Sequence, residues 1–229
     1  MRILSLETST EHGSCALWCA GDVLERVCPA GQAHSQTLLP LLGEMLAQAG
    51  IGLTQLDGIA FGCGPGAFTG LRVACGIAQG LAVATDVPLV PVVSLEAMAA
   101  ASGEEEVLSL LDARMQEVYC AHYRRVAENA WQVQGEIRVL APQTLSWPWA
   151  VRAACGNALH AYPELAARLE QNAFTLHPQI LPTARWLAHL AAPRLQAGAG
   201  IDPADAAPLY IRDKVAKTVA ERLQEGGKA

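Results

Sequence analysis

The sequence predicts an α/β protein of two lobes, each built on a five-stranded mixed sheet with helices packed on it, the second lobe degenerate. Three observations predict it. Short apolar runs of strand length alternate with longer runs of helical period in the first half. A glycine-rich turn stands where a strand feeds a helix. The pattern of the first strand, Leu4-Ser5-Leu6-Glu7, returns in the second half as Leu108-Ser109-Leu110-Leu111-Asp112.

The elements follow in order. Arg2 to Leu6 is a short apolar run and reads as a buried strand, closed by the polar turn Glu7-Thr8-Ser9-Thr10. Ser14 to Cys19 and Val23 to Cys28 are two more strands, joined at the hairpin signal Gly21-Asp22. Leu38, Leu39, Leu41, Leu42, Met45, Leu46 and Ala49 recur at helical spacing, so Ser35 to Ala49 is a helix with Pro40 in its first turns and Gly50 as its stop. Leu56 to Gly62 is a strand, Thr69 to Ala84 a helix, Leu89 to Val93 a strand, and Leu95 to Ala101 a further helix. Three antiparallel strands followed by right-handed crossovers give the ribonuclease H-like lobe on which actin, sugar kinases and chaperone ATPases are built.

The second lobe repeats the plan with less conviction. Val118 to Tyr123 and Trp131 to Val139 stand as its second and third strands, and Ala158 to Leu169 and Thr183 to Leu195 as its helices. Gly103-Glu104-Glu105-Glu106 makes a polar joint. The expected division is residues 1–102 for the first lobe, 103–211 for the second and 212–229 for a tail.

Composition excludes several function classes. Hydrophobic residues make up 52% and charged residues 17% of the 229, enough to bury a sizeable core and too apolar for disorder. The net charge of −6 argues against autonomous nucleic-acid binding, which needs a basic stripe to displace phosphate counterions. The densest basic stretch, Arg212, Lys214 and Lys217, reads as a solvated tail. Seven cysteines with no C-x-x-C pair imply reduced thiols and a cytosolic setting. The longest apolar stretches are interrupted by polar residues, Gly or Pro, so no membrane span is expected.

The strongest local signal is Phe61-Gly62-Cys63-Gly64-Pro65-Gly66-Ala67-Phe68-Thr69-Gly70-Leu71-Arg72. Closely spaced glycines at a helix N-terminus let backbone N–H groups approach an anion, with Thr69 and Arg72 as further donors. A tight turn that only allows close helix packing fits the same spacing. No Gly-Lys-Ser/Thr follows, and Thr69 stands where a dinucleotide fingerprint needs its third glycine. Glu7 and Asp112 each end the first strand of a lobe; either two acids face one cleft, or both are turn carboxylates. The six histidines include no i, i+4 pair, which leaves no imidazole pair for a metal on a helix. Trp147-Pro148-Trp149 reads as a packed loop.

Two helices carry more apolar surface than one sheet needs. In the helix after the glycine loop only Gln79 is strongly polar, and many residues are Ala or Gly. The apolar positions of the first helix span roughly 160°, against about 100° for an ordinary surface helix. The two either cover each other or are covered by a partner. Leu38, Leu42, Met45 and Leu46 of the first helix, with Cys75, Ala78, Gln79 and Ala82 of the second, are the expected partner contacts.

Gly64-Pro65-Gly66-Ala67-Phe68-Thr69-Gly70-Leu71-Arg72 resembles the hallmark of the TsaB (YeaZ) family. Ile3 to Thr10, His34 to Pro40, Asp112 to Tyr119 and Pro208 to Arg212 are similar to its other signatures. The resemblance implies a non-catalytic subunit that pairs with a larger paralogue, TsaD, and with an ATPase, TsaE, to form threonylcarbamoyladenosine in tRNA. It implies tRNA contact only within that complex, a homodimer when TsaD is missing, and ATP or ADP at the partner interface, with no cofactor held tightly. Glu7, Thr8, Ser9, Gly64, Gly66, Thr69, Gly70 and Arg72 are the expected nucleotide or phosphate loop. TsaD-like chains carry an H-x-x-x-H metal pair after the next strand; here Ser94 and Met98 replace it, and a hydroxyl and a thioether do not suit iron or zinc. Two alternatives remain: a small-molecule kinase or ATPase, and a metallopeptidase.

Overall fold

The computed structural model describes residues 1–148 and 150–212. The first sheet contains β1 (Arg2–Glu7), β2 (Ser14–Cys19), β3 (Asp22–Val27), β4 (Gly58–Gly64) and β5 (Leu89–Val93), in the order β3-β2-β1-β4-β5. β1 pairs antiparallel with β2 and parallel with β4. Two crossover helices, α1 (His34–Ala49) and α2 (Phe68–Thr85), lie on one face. This is the predicted ribonuclease H-like sheet, strand for strand.

α1 forms because its leucines recur at helical period. It stops at Gly50, whose φ of 65° is the left-handed conformation that favours glycine. The Ile51 amide then bonds back to the Leu46 carbonyl, satisfying a helix-end acceptor. Leu38, Leu42 and Met45 of α1 and Ala74, Ala78 and Ala82 of α2 pack with Leu4, Leu6, Leu17 and Phe61 of the sheet in one buried cluster. With 18 residues α2 is long and apolar enough to cross a membrane by length and composition, contrary to expectation. Its inner side nonetheless packs on the sheet.

The second sheet has the order β11-β10-β6-β7-β8, with β9 also paired to β7. Its strands are β6 (Glu106–Asp112), β7 (Val118–Ala127), β8 (Ala130–Val133), β9 (Arg138–Leu140), β10 (Ala153–Cys155) and β11 (Thr175–His177). β8 and β9 pair with successive stretches of β7, so together they fill the third-strand position. The expected single strand from Trp131 to Val139 is thus broken, at a turn where Gly135 takes a φ of 95°. The single helix expected from Ala158 is likewise two, α4 (Ala158–Ala161) and α5 (Pro163–Gln171). Pro163 ends the first and opens the second, because it lacks the amide that would continue the helix. Among the described residues no α1 counterpart stands between β9 and β10; a short 3-10 turn at Pro142–Thr144 stands there, with Leu145, Trp147 and Val151 packed in the second lobe's core.

α3 (Ser94–Ser102) and α6 (Ala184–Gln196) lie between the two sheets. α3 follows the first sheet yet packs on β6 and β7 through Leu95, Met98 and Ala99. α6 follows the second sheet yet covers β1, β2 and β4 through Leu187, Leu190 and Ala191. The expected boundary at residue 103 therefore marks the sheets and not the packing units. Ile201 pairs with Leu89 of β5, and the Leu209 amide donates to the Cys63 carbonyl at 2.7 Å. The chain after α6 thus returns to the first lobe before Ile211 and Arg212 pack against the second.

All seven cysteines are free, and six are buried. Trp147 packs edge-on to Phe174, with ring centroids 5.3 Å apart, as expected of a packed loop. Lys214 and Lys217 lie outside the described residues, as does Trp149.

Candidate functional site

The glycine loop is shaped by the turn after β1. The Ala67 amide donates to the Ser9 carbonyl at 2.7 Å, and the Thr8 hydroxyl donates to the Gly70 carbonyl at 2.7 Å. A Cβ on Gly70 would lie 1.9 Å from the Thr8 carbonyl oxygen, and one on Gly66 would lie 2.4 Å from that of Ser9. A Cβ on Gly62 would strike the Glu7 carboxylate. These glycines are required because the turn after β1 packs directly against them. Of the expected loop residues, Glu7, Thr8, Ser9, Gly64 and Gly70 are buried, while Thr69 and Arg72 are exposed. Gly62, Gly66 and Gly70 are thus closely packed against β1 and its turn.

Glu7 has no route to a cleft. It is wholly inaccessible and accepts hydrogen bonds from the Ser9 amide and, at 3.3 Å, from the Ser94 hydroxyl. Burial pushes its carboxyl above the ordinary glutamate range, outweighing the hydrogen bonds that favour the charged form. Burial, with Glu7 as the largest electrostatic contributor, also pushes the Cys63 thiol up to about 12. Asp112 stands apart. Its carboxylate accepts from the Tyr162 hydroxyl at 2.8 Å and pairs with Arg114 at 3.2 Å. Asp112 lines an interlobe cleft of about 700 Å³, together with Glu11, His12, Arg114, Asn157 and His160. Of the two readings left open for these acids, a shared cleft is not the one seen, since Asp112 lines the cleft and Glu7 does not.

Ser94 and Met98 lie on the same side of α3, and both are fully buried. The position of the expected imidazole pair is core. Among the described residues no group of three or more His, Cys, Asp or Glu side chains could hold a metal.

The paired helices α1 and α2 divide differently from expectation. Leu38, Leu42, Met45, Leu46, Cys75, Ala78 and Ala82 are all buried within this chain, packed with the first sheet. Gln79 donates to the carbonyls of Pro203 and Ala206 at 3.0 and 3.2 Å. None of these eight is free to meet a partner. On α1 the bulkier side turns to the sheet, whereas α2 packs the small Ala74, Ala78 and Ala82 against it and leaves Val73, Ile77 and Leu81 half-buried. What faces outward is a different set. On α1 it is Leu39, at 47% exposure, with Pro40, Gly43 and Ala47. On α2 it is Gly76, Gly80, Ala84 and Val83, the last 73% exposed, flanked by the half-buried Val73, Ile77 and Leu81. A Cβ at Gly43, Gly76 or Gly80 would meet nothing within 4 Å. The outer face is therefore apolar along α2 beyond Arg72 and mixed on α1, where Gln36, Glu44 and Gln48 are also exposed, and its glycines leave it low in relief and open to close approach by another helix.

A second feature went unseen in the sequence. Arg114, Met115 and Gln116, between β6 and β7, all have left-handed backbones, with φ of 60°, 52° and 60°. Such conformations cost non-glycine residues on the order of 1–3 kcal/mol each. No glycine or asparagine marked the turn.

Comparison with known proteins places this geometry. The model of the family "TsaD: tRNA N6-adenosine threonylcarbamoyltransferase" matches residues 28–219. The chain is 35% identical over 231 residues to the tRNA threonylcarbamoyladenosine biosynthesis protein TsaB of Escherichia coli K12, covering 94% of this chain and 96% of that protein. It is 35% identical to the TsaB of Haemophilus influenzae, covering 94% and 95%. Among solved structures, YeaZ from Pseudomonas aeruginosa superposes with a TM-score of 0.80 at 34% identity, covering 91% of this chain and 99% of that one. A second Pseudomonas aeruginosa structure, described as similar to peptidase YEAZ, gives a TM-score of 0.81 at 34% identity, covering 92% and 99%. These matches, which cover more than nine-tenths of this chain and of each relative, assign this chain to the TsaB (YeaZ) family.

Proposed function

We propose that this chain is a scaffold and activator subunit in the formation of N6-threonylcarbamoyladenosine in tRNA. It acts by presenting the outer face of α1 and α2 to a TsaD-family partner. The curated TsaB relatives are named for this biosynthesis. The observation that carries the docking reading is the outward apolar surface built on Leu39, Gly43, Gly76, Gly80 and Val83. A surface helix of a lone protein shows water a polar stripe, and α2 shows glycine, alanine and valine instead. A partner of the same fold would bring the same helix pair, and four helices would share one dry contact. The same face would pair two copies of this chain when no partner is present.

The buried Glu7 and the core Ser94–Met98 pair support an accessory role, because neither an acid nor a metal ligand faces solvent there. The TsaE ATPase, tRNA contact and an ATP or ADP at the partner interface belong to the assembled complex on this reading. The test is reconstitution of tRNA modification from TsaD-family and TsaE proteins with and without this chain. Activity should require it, and modification at full rate without it would remove the scaffold role.

A small-molecule kinase or ATPase is the second reading, favoured by one observation, the interlobe cleft of about 700 Å³ lined by Glu11, Asp112, Arg114 and His160. It predicts ATP turnover by the isolated chain. The scaffold reading predicts none.

A further inference from the structure

Large apolar side chains are rarely left exposed in clusters, and when they are, they mark contact sites. Three such residues of this chain, Phe68 at 39%, Tyr210 at 45% and Met115 at 65% exposure, surround one small hole. It lies where three separate parts of the chain meet. These are the first turn of α2, the left-handed turn at Arg114–Gln116, and the segment from Leu209 to Arg212. The floor is Leu71 and Ala113.

The hole is about 180 Å³, well under the roughly 300 Å³ at which small-molecule pockets begin. It suits a single apolar side chain. Its walls are held. The Arg72 guanidinium lies 3.5 Å over the Phe68 ring and donates to the Tyr210 hydroxyl at 3.0 Å. Arg212 bridges the Ala113 carbonyl and the Glu117 carboxylate. Aromatic, Met and Arg side chains around a dry centre are the composition of an interface hot spot.

Charge narrows the occupant. Arg212 is paired with Glu117, and Arg114 with Asp112 and Glu11. Arg72 has no carboxylate partner among the described residues; its contacts are the two aromatic rings and one hydroxyl. On a chain of net charge −6, this leaves a local positive rim awaiting an acid.

Position supplies the last link. Phe68 and Arg72 begin the same i, i+4 row that runs on through Gly76 and Gly80, and Arg72, Gly76 and Gly80 are all exposed. The hole is therefore continuous with the outer helix face. We infer that it seats one apolar side chain of the protein that docks on α1 and α2, with a carboxylate beside that side chain meeting Arg72. This rests on the docking reading above and gives that interface its anchor. The left-handed turn sets Met115 at the rim.

Titration calorimetry of the full chain with its TsaD-family partner tests it. Ala67→Phe fills the hole from its edge, and Arg72→Glu reverses the rim charge. Each should weaken binding about 30-fold or more, the loss expected at a hot spot. Arg72→Glu should also flatten the dependence on salt. Val126→Glu, at an exposed position in the second lobe, should bind as the native chain does. Circular dichroism melts of each variant show whether the fold is kept. Wild-type affinity in folded Ala67→Phe and Arg72→Glu, with binding abolished by Gly80→Arg, overturns the anchor and leaves the helix face standing. Wild-type affinity in Gly80→Arg, with binding lost in Ala67→Phe, keeps the hole and removes the helix face.

Discussion

At the scale of the residue, Glu7 decides between an enzyme's acid and a structural one. Its folded carboxyl titrates above the ordinary value of 4.5 because burial outweighs its hydrogen bonds. The folded state then holds a proton that the unfolded state has released. By linkage, this group's contribution is full below pH 4.5 and declines as pH rises through the raised value. Glu7→Gln mimics the protonated form and keeps the size. We predict that it melts with wild type at pH 4 and above it at pH 8; parallel melting curves across that range would contradict the assignment. Gly70 gives a second residue-scale prediction. A methyl group 1.9 Å from the Thr8 carbonyl cannot be housed without moving backbone. Gly70→Ala should therefore destabilise by about 1–3 kcal/mol, read by chemical denaturation.

At the scale of the element, the turn at Arg114–Gln116 stores strain that a glycine would relieve. Gln116→Gly should raise stability by about 0.5–1 kcal/mol, since glycine escapes the left-handed penalty at some entropic cost. An unchanged or lower midpoint would mean the turn is not strained. This turn also shows where sequence reading stops. β1 to β5 were legible because apolar runs, turn residues and helical spacing agreed, as at Gly50, although the hairpin turn falls on Ala20-Gly21, one residue before the expected Gly21-Asp22. The Arg114-Met115-Gln116 turn carries no residue with a left-handed preference, so nothing local announced it. The orientation of α1 and α2 was illegible for another reason. Their apolar positions spread beyond an ordinary surface stripe, so periodicity located the helices without showing which side meets the sheet. Leu42 and Ala78 went inward while Leu39 and Gly80 stayed out. The contact of Arg72 with Tyr210 joins residues 138 positions apart, beyond any spacing argument.

At the scale of the whole molecule, the two sheets exchange their covering helices. α3 and α6 are tied by the Glu96–Arg194 ion pair, whose carboxylate is nearly buried. The Ser5 hydroxyl donates to the Ala184 carbonyl at 2.7 Å, and the Ala184 amide donates to the Ser14 hydroxyl at 2.9 Å. The first lobe therefore owes one face to the end of the chain. Residues 1–102 alone should not fold, because Ile3, Ala60, Val90 and Val92 would lose Leu187, Leu190 and Ala191. Sedimentation and circular dichroism of that fragment check this; a folded monomer would contradict it. Arg194→Ala should cost about 3 kcal/mol by leaving Glu96 buried and unpaired, and the intact chain should still melt in one transition.

The same exchange fixes α1 and α2 on the far side of the first sheet, where their outer surface is free to meet another protein. The most direct measurement of that claim is the rate of threonylcarbamoyladenosine formation in a reconstituted system containing the Gly80→Arg variant. The account predicts a rate no higher than with the chain omitted, while the variant keeps its native melting point. A correctly folded Gly80→Arg chain that supports the full rate would contradict it.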